Sequence, residues 1–293
     1  MSTQTPKAEV DITLDLVRDL LAEQFPDFAN LPIQYLDSGW DNAMFRPGDH
    51  YVIRLPRRKV GAALFRHEST WLPKLSQRLP LPTSAVLHLG APCDSYPWHW
   101  GILPWFDGTT AGKESPDANQ AGIFGQFLTA LHQPAPVDAP VNTLRGIPIT
   151  TRKEDTEARL KRLESQGDWI TADIYHHWKQ ALAAPTHRQA VWIHGDLHPK
   201  NILVEQGKIA AIVDWGDITS GDPATDLASV WMLFDTEEAR ETFFQQYPAD
   251  DALMARAQGW AVFFASVLLE NGLAGPEEHR NIGERTFRNL TSS

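Results

Sequence analysis

The 293-residue chain is 42% hydrophobic and 22% charged, the make-up of a folded globular protein, which excludes a disordered or fibrous one. A formal net charge of −11 excludes the broadly basic surface that nucleic-acid binding needs. The single cysteine, Cys93, excludes an internal disulfide and suits a reducing compartment.

Residues 1–7 lack the apolar run of a signal peptide, which sets a cytoplasmic expectation. Helical spacing of Leu14, Val17, Leu20, Leu21 and Phe25 predicts an amphipathic helix over 11–25. Pro26 and Pro32 then bracket a turn. Three short strands follow at 33–37, 43–46 and 50–55, separated by Gly39 and by Pro47-Gly48-Asp49. A helix is predicted over 60–79, with Pro73 kinking or breaking it. Strands at 85–89 and 100–105 complete a five-stranded sheet, and Asp107-Gly108-Thr109 reads as a connector.

Beyond the connector the pattern is mostly helical, with helices predicted at 117–132, 151–164 and 171–182. Residues 202–205 and 208–213 form a hairpin turning at Gln206-Gly207. Further helices are predicted at 225–234, 237–246, 251–270 and 277–290. The uncharged stretch 258–269 is too short to span a bilayer and reads as part of a buried helix, so no membrane is expected. The division is into a first lobe at 1–106 and a second at 107–293. The first carries 10 basic against 11 acidic residues, the second 16 against 26. That acidic excess fits steering of a cationic small molecule, and equally well a set of surface acids that keep the domain soluble.

The chemistry sits in one block. Asp196 is followed five positions on by Asn201, and Asp214 stands beyond the hairpin. Phosphoryl transfer needs a carboxylate to orient the acceptor hydroxyl and two oxygen ligands to hold Mg²⁺ against the donor phosphates. Asp196 fits the first role; Asn201 and Asp214 fit the second. Asp217 either touches a second metal or the acceptor, or caps the next turn.

His-Gly-Asp-Leu-His-Pro-Lys-Asn at 194–201, Asp214-Trp215-Gly216-Asp217, and Gly221-Asp222-Pro223 leading to Asp226-Leu227-Ala228 resemble, in order, three motifs of the aminoglycoside phosphotransferase family of antibiotic and small-molecule kinases. Fainter likeness lies in Gly39 to Asn42, Arg54 to Arg57, Leu131-His132 and Arg145-Gly146-Ile147-Pro148. The resemblance implies an α+β, bilobal protein-kinase-like fold: a small β-rich nucleotide-binding lobe and a larger, mostly helical lobe for catalysis and acceptor binding. It implies Mg²⁺-dependent transfer from ATP or GTP to a small-molecule hydroxyl.

Carried onto this chain, the resemblance implies a phosphate-gripping cation in the first lobe. Arg54 stands where protein kinases and many relatives carry Lys, with Glu68 as its partner and Arg57, Arg58 or Lys59 as alternatives. Ser38 and Asn42 border the candidate phosphate-facing turn, and Pro104, Trp105 and Phe106 the segment on which adenine would stack. His198 stands where protein kinases carry Lys, to contact either phosphate or the loop backbone. The resemblance assigns Asp226 the backbone N–H groups of the catalytic loop; His194 reads as a packed structural histidine that pins that loop, and Asp222, before Pro223, as a helix N-terminal cap. Trp231, Trp260 and Phe263 fall at core-like positions rather than as a pocket for a large apolar acceptor.

An aminoglycoside-like antibiotic is the family's nearest acceptor; a macrolide, an amino sugar or choline would use the same machinery. A metal-dependent phosphoesterase would need further His and Asp ligands that the sequence lacks. A silent nucleotide-binding module is disfavoured by Asp196, Asn201 and Asp214 occurring together.

Overall fold

Alternation of apolar residues along strands and their helical recurrence between them sort the chain into two units, Met1–Gln77 with Thr83–Phe106, and Arg78–Pro82 with Asp107–Ser293. The computed structural model describes residues 6–186 and 189–292, so the first five residues, on which part of the signal-peptide reading rests, lie outside it.

In the first unit, α1 (Leu14–Gln24) is started by Thr13, whose hydroxyl accepts the Leu16 N–H, and is followed by the short α2 (Pro26–Ala29). Strands β1 (Ile33–Ser38), β2 (Asn42–Pro47) and β3 (Tyr51–Pro56) precede helix α3 (Lys59–Leu75), and β4 (His88–Gly90) and β5 (Trp100–Pro104) close the unit. The antiparallel sheet runs β1-β2-β3-β5-β4. Phe45, Ile53, Leu55 and Ile102 on its strands bury with Val17, Leu20 and Leu21 of α1. Two expectations are corrected here. Helix α3 is not broken at Pro73 and ends at Leu75, short of the expected residue 79; with so little helix left, the ring costs one carbonyl bond near an end that frays anyway. The strand expected at 85–89 lies at 88–90, because its ladder with β5 is confined to the pairs His88–Ile102, Leu89–Gly101 and Gly90–Trp100.

The second unit comprises β6 (Thr109–Thr110), α4 (Ala121–Leu131), α5 (Lys153–Glu164), α6 (Ala172–Ala183), β7 (Val191–Ile193), β8 (Ile202–Glu205), β9 (Lys208–Ile212), β10 (Thr219–Gly221), α7 (Ala224–Leu227), α8 (Ser229–Leu233), α9 (Glu237–Gln246), α10 (Asp251–Leu273) and α11 (Glu277–Thr291). The segment Arg78–Pro82, placed with the first lobe by sequence, groups here: Ile212 N donates to Pro82 O at 2.9 Å. Thr109, read as connector, pairs with Val204 of β8. The β8–β9 hairpin turns where expected, with Gln206 and Gly207 at φ 51° and 76°, the paired positive values of a tight hairpin turn. The helix expected at 225–234 is split into α7 and α8 around Ala228.

Helix α10 packs against α5, α6, α7 and α11. By length and apolarity it could cross a bilayer, yet 67% of its most apolar window is buried inside the protein. Trp231, Trp260 and Phe263 are buried at 5%, 0% and 8% exposure, in the core as expected. Trp260 meets Phe263 edge-on at 5.3 Å. A β-rich first unit and a predominantly helical second unit make an α+β protein.

Candidate active site

The block at residues 194–201 begins where β7 ends. His194 is fully buried, its Nε2 facing Val213 O at 3.0 Å while its Nδ1 accepts the Asp196 N–H at 3.3 Å, so it carries its proton on Nε2. Its ring rests on Trp215 with centroids 4.6 Å apart. Gly195 turns at φ 88°, and a Cβ there would lie 2.6 Å from Asp217 O, so both conformation and space exclude a side chain. Asp226, itself fully buried, accepts the N–H groups of His194 at 2.7 Å and Gly195 at 2.9 Å. His132 Nε2 lies 3.2 Å from the same carboxylate, and its Nδ1 meets the Tyr247 hydroxyl at 2.8 Å. Asp226 and His194 thus stand as the sequence reading placed them.

Asp196 is held from both sides. Arg145 Nη2 donates to Oδ1 at 2.5 Å, and His198 Nε2 stands 3.5 Å from Oδ2. Burial alone would push its pKa up, but the hydrogen bond from His198 and then the charge of Arg145 hold the carboxyl well below the usual carboxylate range. His198 spends its other nitrogen on the Lys200 N–H at 3.2 Å, so both ring nitrogens serve the loop.

Asn201 donates Nδ2 to Asp196 O at 2.9 Å, which leaves its side-chain oxygen for other work. Asp214 sits at φ 58°, a left-handed conformation that Asp tolerates better than most residues, and its exposed carboxylate makes no hydrogen bond or ion pair among the described residues. An uncommitted carboxylate and an amide oxygen are the hard oxygen donors that suit Mg²⁺, which takes one or two protein ligands and completes its shell with phosphate and water. Among the described residues no three His, Cys, Asp or Glu side chains converge into a metal cage.

Asp217 accepts from Asn142 Nδ2 at 2.7 Å and lies 3.7 Å from Arg145 Nε. Burial raises its pKa, Arg145 opposes the rise, and the like charges of Asp196 and Asp214 add to it. Asp222 does accept the Ala224 N–H at 3.1 Å, but its carboxylate is chiefly taken by Arg256, at 2.7 and 3.3 Å.

Arg54, Glu68, Ser38, Asn42, Pro104, Trp105 and Phe106 all belong to the first unit. Arg54 on β3 donates to Glu68 on α3 in a buried pair, and its guanidinium lies 5.1 Å from the Phe65 ring. Its Nε is buried without a hydrogen-bond partner. Arg57 and Arg58, the alternative phosphate cations, are occupied with the β1–β2 turn. Arg57 Nη1 donates to Gly39 O at 2.7 Å, and Arg58 donates to Trp40 O at 3.2 Å and to Asp41 Oδ1 at 2.5 Å. Ser38 and Asn42 flank that turn, closed by Gly39 N donating to Asn42 O at 3.0 Å, and the Asn42 Oδ1 is buried without a partner. Pro104 ends β5 opposite Tyr51, the Trp105 N–H reaches His50 O at 2.9 Å, and Phe106 is half-buried. The Arg46 guanidinium covers the Trp105 ring at 4.0 Å.

Sequence reasoning missed Arg145 and Asn142 as site residues. The available signal was Arg145-Gly146: Gly146 takes φ 66°, and a Cβ there would meet the Gly221 Cα at 2.8 Å, so the glycine lets this segment press onto β10 beside the loop.

A family model described as the phosphotransferase enzyme family matches residues 32–260. An aminoglycoside 3'-phosphotransferase of Escherichia coli is 24% identical over 196 residues, covering 63% of this chain and 69% of its own. The uncharacterized protein YcbJ of Bacillus subtilis is 33% identical over 91 residues, 31% of this chain and 26% of that protein. A solved GDP complex of an aminoglycoside 2'-phosphotransferase-IIIa mutant aligns at TM-score 0.66 and 19% identity, over 95% of this chain and 97% of that one. A macrolide 2'-phosphotransferase from Brachybacterium faecium aligns at TM-score 0.58 and 21% identity, over 94% and 97%. The structural likeness carries the kinase-like α+β fold, and the family match extends over most of the length: the chain belongs to the phosphotransferase enzyme family, as a small-molecule kinase that acts on a hydroxyl group.

Proposed function

We propose that the protein moves the γ-phosphoryl group of ATP or GTP, with Mg²⁺, onto a hydroxyl of an aminoglycoside-like antibiotic or a related hydroxylated metabolite in the cytoplasm. The observation that carries this reading is Asp196, an ionised carboxylate at the tip of a loop whose backbone is tied down by Asp226. Asp196 orients the acceptor hydroxyl and takes its proton as the oxygen attacks phosphorus. Asn201 and Asp214 would hold the metal. Bound Mg²⁺ supplies positive charge against the phosphate oxygens. In the first unit, Arg54, aligned by Glu68, would grip the donor's phosphates, the turn between Ser38 and Asn42 would face them, and the Pro104-Trp105-Phe106 segment would seat the base. His198 serves this reading by fixing the loop and the Asp196 carboxylate rather than by reaching phosphate.

Aminoglycosides and macrolides are the acceptors in the names of the relatives. The guanidinium of Arg145 on the proposed catalytic carboxylate favours the metabolite side of the choice, because an ammonium beside the reacting hydroxyl would meet like charge. The test is a transfer assay of purified protein with ATP and with GTP against aminoglycosides, macrolides, amino sugars and sugar acids, run beside Asp196→Ala. Transfer to any hydroxyl that disappears in the variant supports the reading; equal turnover in the variant overturns it.

A further inference from the structure

Near Asp196 the second unit gathers positive charge, although residues 107–293 carry 16 basic against 26 acidic side chains. Arg145, Arg152 and Arg159 line up along two adjoining rings of α10. Arg145 stands over Phe264 at 5.6 Å, and Arg152 and Arg159 over Phe263 at 5.3 and 5.9 Å, the rings being 5.3 Å apart. Two of these cations have carboxylate partners in contact. Arg145 takes Asp196 and Asp217, and Arg159 takes Glu270, which it shares with Arg162.

Arg152 is different. Its Nη2 donates to the carbonyl of Leu144 at 2.6 Å, its Nε is buried without a partner, and no carboxylate lies within ion-pair distance among the described residues. Burial, with Arg145 and Arg159 adding repulsion and Asp155 opposing it, pulls the guanidinium below its normal pKa. A partly desolvated cation with an orphaned N–H and two cationic neighbours is costly unless something negative completes it. A purely structural Arg would end its task at the Leu144 carbonyl. The remaining donors form a planar fork that matches a carboxylate or a phosphate.

We propose that Arg152, backed by Arg145 and Arg159, is an anion-binding subsite for the acceptor, so that the hydroxyl compound phosphorylated here also carries a carboxylate or a phosphate. This rests on the reading of Asp196 as the acceptor-orienting base, and it narrows that reading to an acidic metabolite. Cation–π contact with Phe263 and Phe264 holds the guanidinium groups near these rings before the ligand arrives, which reduces the ordering left to binding.

The test is calorimetric titration with three compounds of one skeleton, glucuronate, glucose and glucosamine, in saturating Mg·ADP. Glucuronate should bind at least about tenfold more tightly than the other two, the discrimination of one charge-assisted pair. Arg152→Gln should abolish that preference and Arg152→Lys should restore part of it. Inorganic sulfate should displace glucuronate from the wild type, a measurement that decides the matter should Arg152→Gln fail to fold. The proposal is overturned if glucuronate is not preferred, if the preference survives Arg152→Gln, or if sulfate leaves it bound. Loss of glucuronate binding on adding Mg·ADP would assign the anion to the donor's phosphate site and overturn it equally. These readouts are blind to transfer, so failure of the kinase reading shows separately, as phosphate transfer that does not depend on Asp196.

Discussion

The carboxylate of Asp226 accepts the backbone N–H of His194 at 2.7 Å across 32 positions of sequence. Its second oxygen holds the next N–H, that of Gly195, and His132 braces it from α4's C-terminal end. The conformation of the turn at His194 and Gly195 is therefore set by a side chain that enters from the short helix α7.

Asp226→Asn keeps the shape but turns an amide NH₂ toward one of those N–H groups. Leaving a buried donor unmet costs about 1–3 kcal/mol, so a lower Tm and a slower turnover are expected together. Thermal melting and kcat measured on the same preparation check this; a variant with wild-type values for both would show that the loop is held by other means.

Asp196→Ala should reduce transfer by about 10²–10⁴-fold, the usual worth of a positioned general base, and should lower Tm at neutral pH because a stabilised carboxylate is lost, while nucleotide binding stays near wild type. Single-turnover kinetics with calorimetric titration of nucleotide separate the two effects.

Because the Asp196 carboxyl lies well below its ordinary value, the stability it contributes is fully present above the unfolded-state pKa and is lost as pH falls through the folded one. Against burial, which works to raise it, His198 is the largest cause of the depression. His198→Asn should therefore move the acid limb of kcat upward in pH. It should also destabilise the protein at neutral pH by an amount that shrinks as pH falls through the carboxylate range. Paired pH–rate and pH–melting profiles test this, and superimposable acid limbs would count against it.

Arg54→Ala removes the cation from a buried ion pair with Glu68 and should cost about 3–5 kcal/mol. Arg54→Met combined with Glu68→Leu should recover most of that stability but leave the nucleotide KM raised. If the double variant binds nucleotide as the wild type does, the pair is structural only. Arg57→Ala should instead loosen the β1–β2 turn that it holds through Gly39 O.

Asp214→Asn removes the uncommitted carboxylate and should shift the Mg²⁺ dependence of transfer to higher concentration, with little change in Tm because its exposed side chain makes no hydrogen bond or ion pair among the described residues. A Mg²⁺ titration of activity reads the shift directly.

What the sequence made legible was local. The β8–β9 hairpin could be read because Gln206-Gly207 announces the turn and the flanking strands are apolar. The helices expected at 171–182 and 237–246 lie within a residue of α6 and α9. The pairing of β7 with β10 was not, since three residues are too few to display an alternation and the partner lies beyond the hairpin. Arg145 was hidden for the same reason: its bond to Asp196 spans 51 positions and leaves no periodic trace. Pro73 does not break its helix because the rule against proline inside a helix weakens close to the helix end.

Helix α10 has a consequence for how the chain becomes a protein. Its 23 residues are greasy enough to be mistaken for a bilayer-spanning segment, and it follows in sequence the α5 and α6 surfaces that it covers. During synthesis those surfaces stay wet until α10 emerges, and α10 itself needs α11 as a cover. The second unit therefore closes only when α10 and α11 are both present, and a chain cut between them would leave the apolar face that α11 covers open to water.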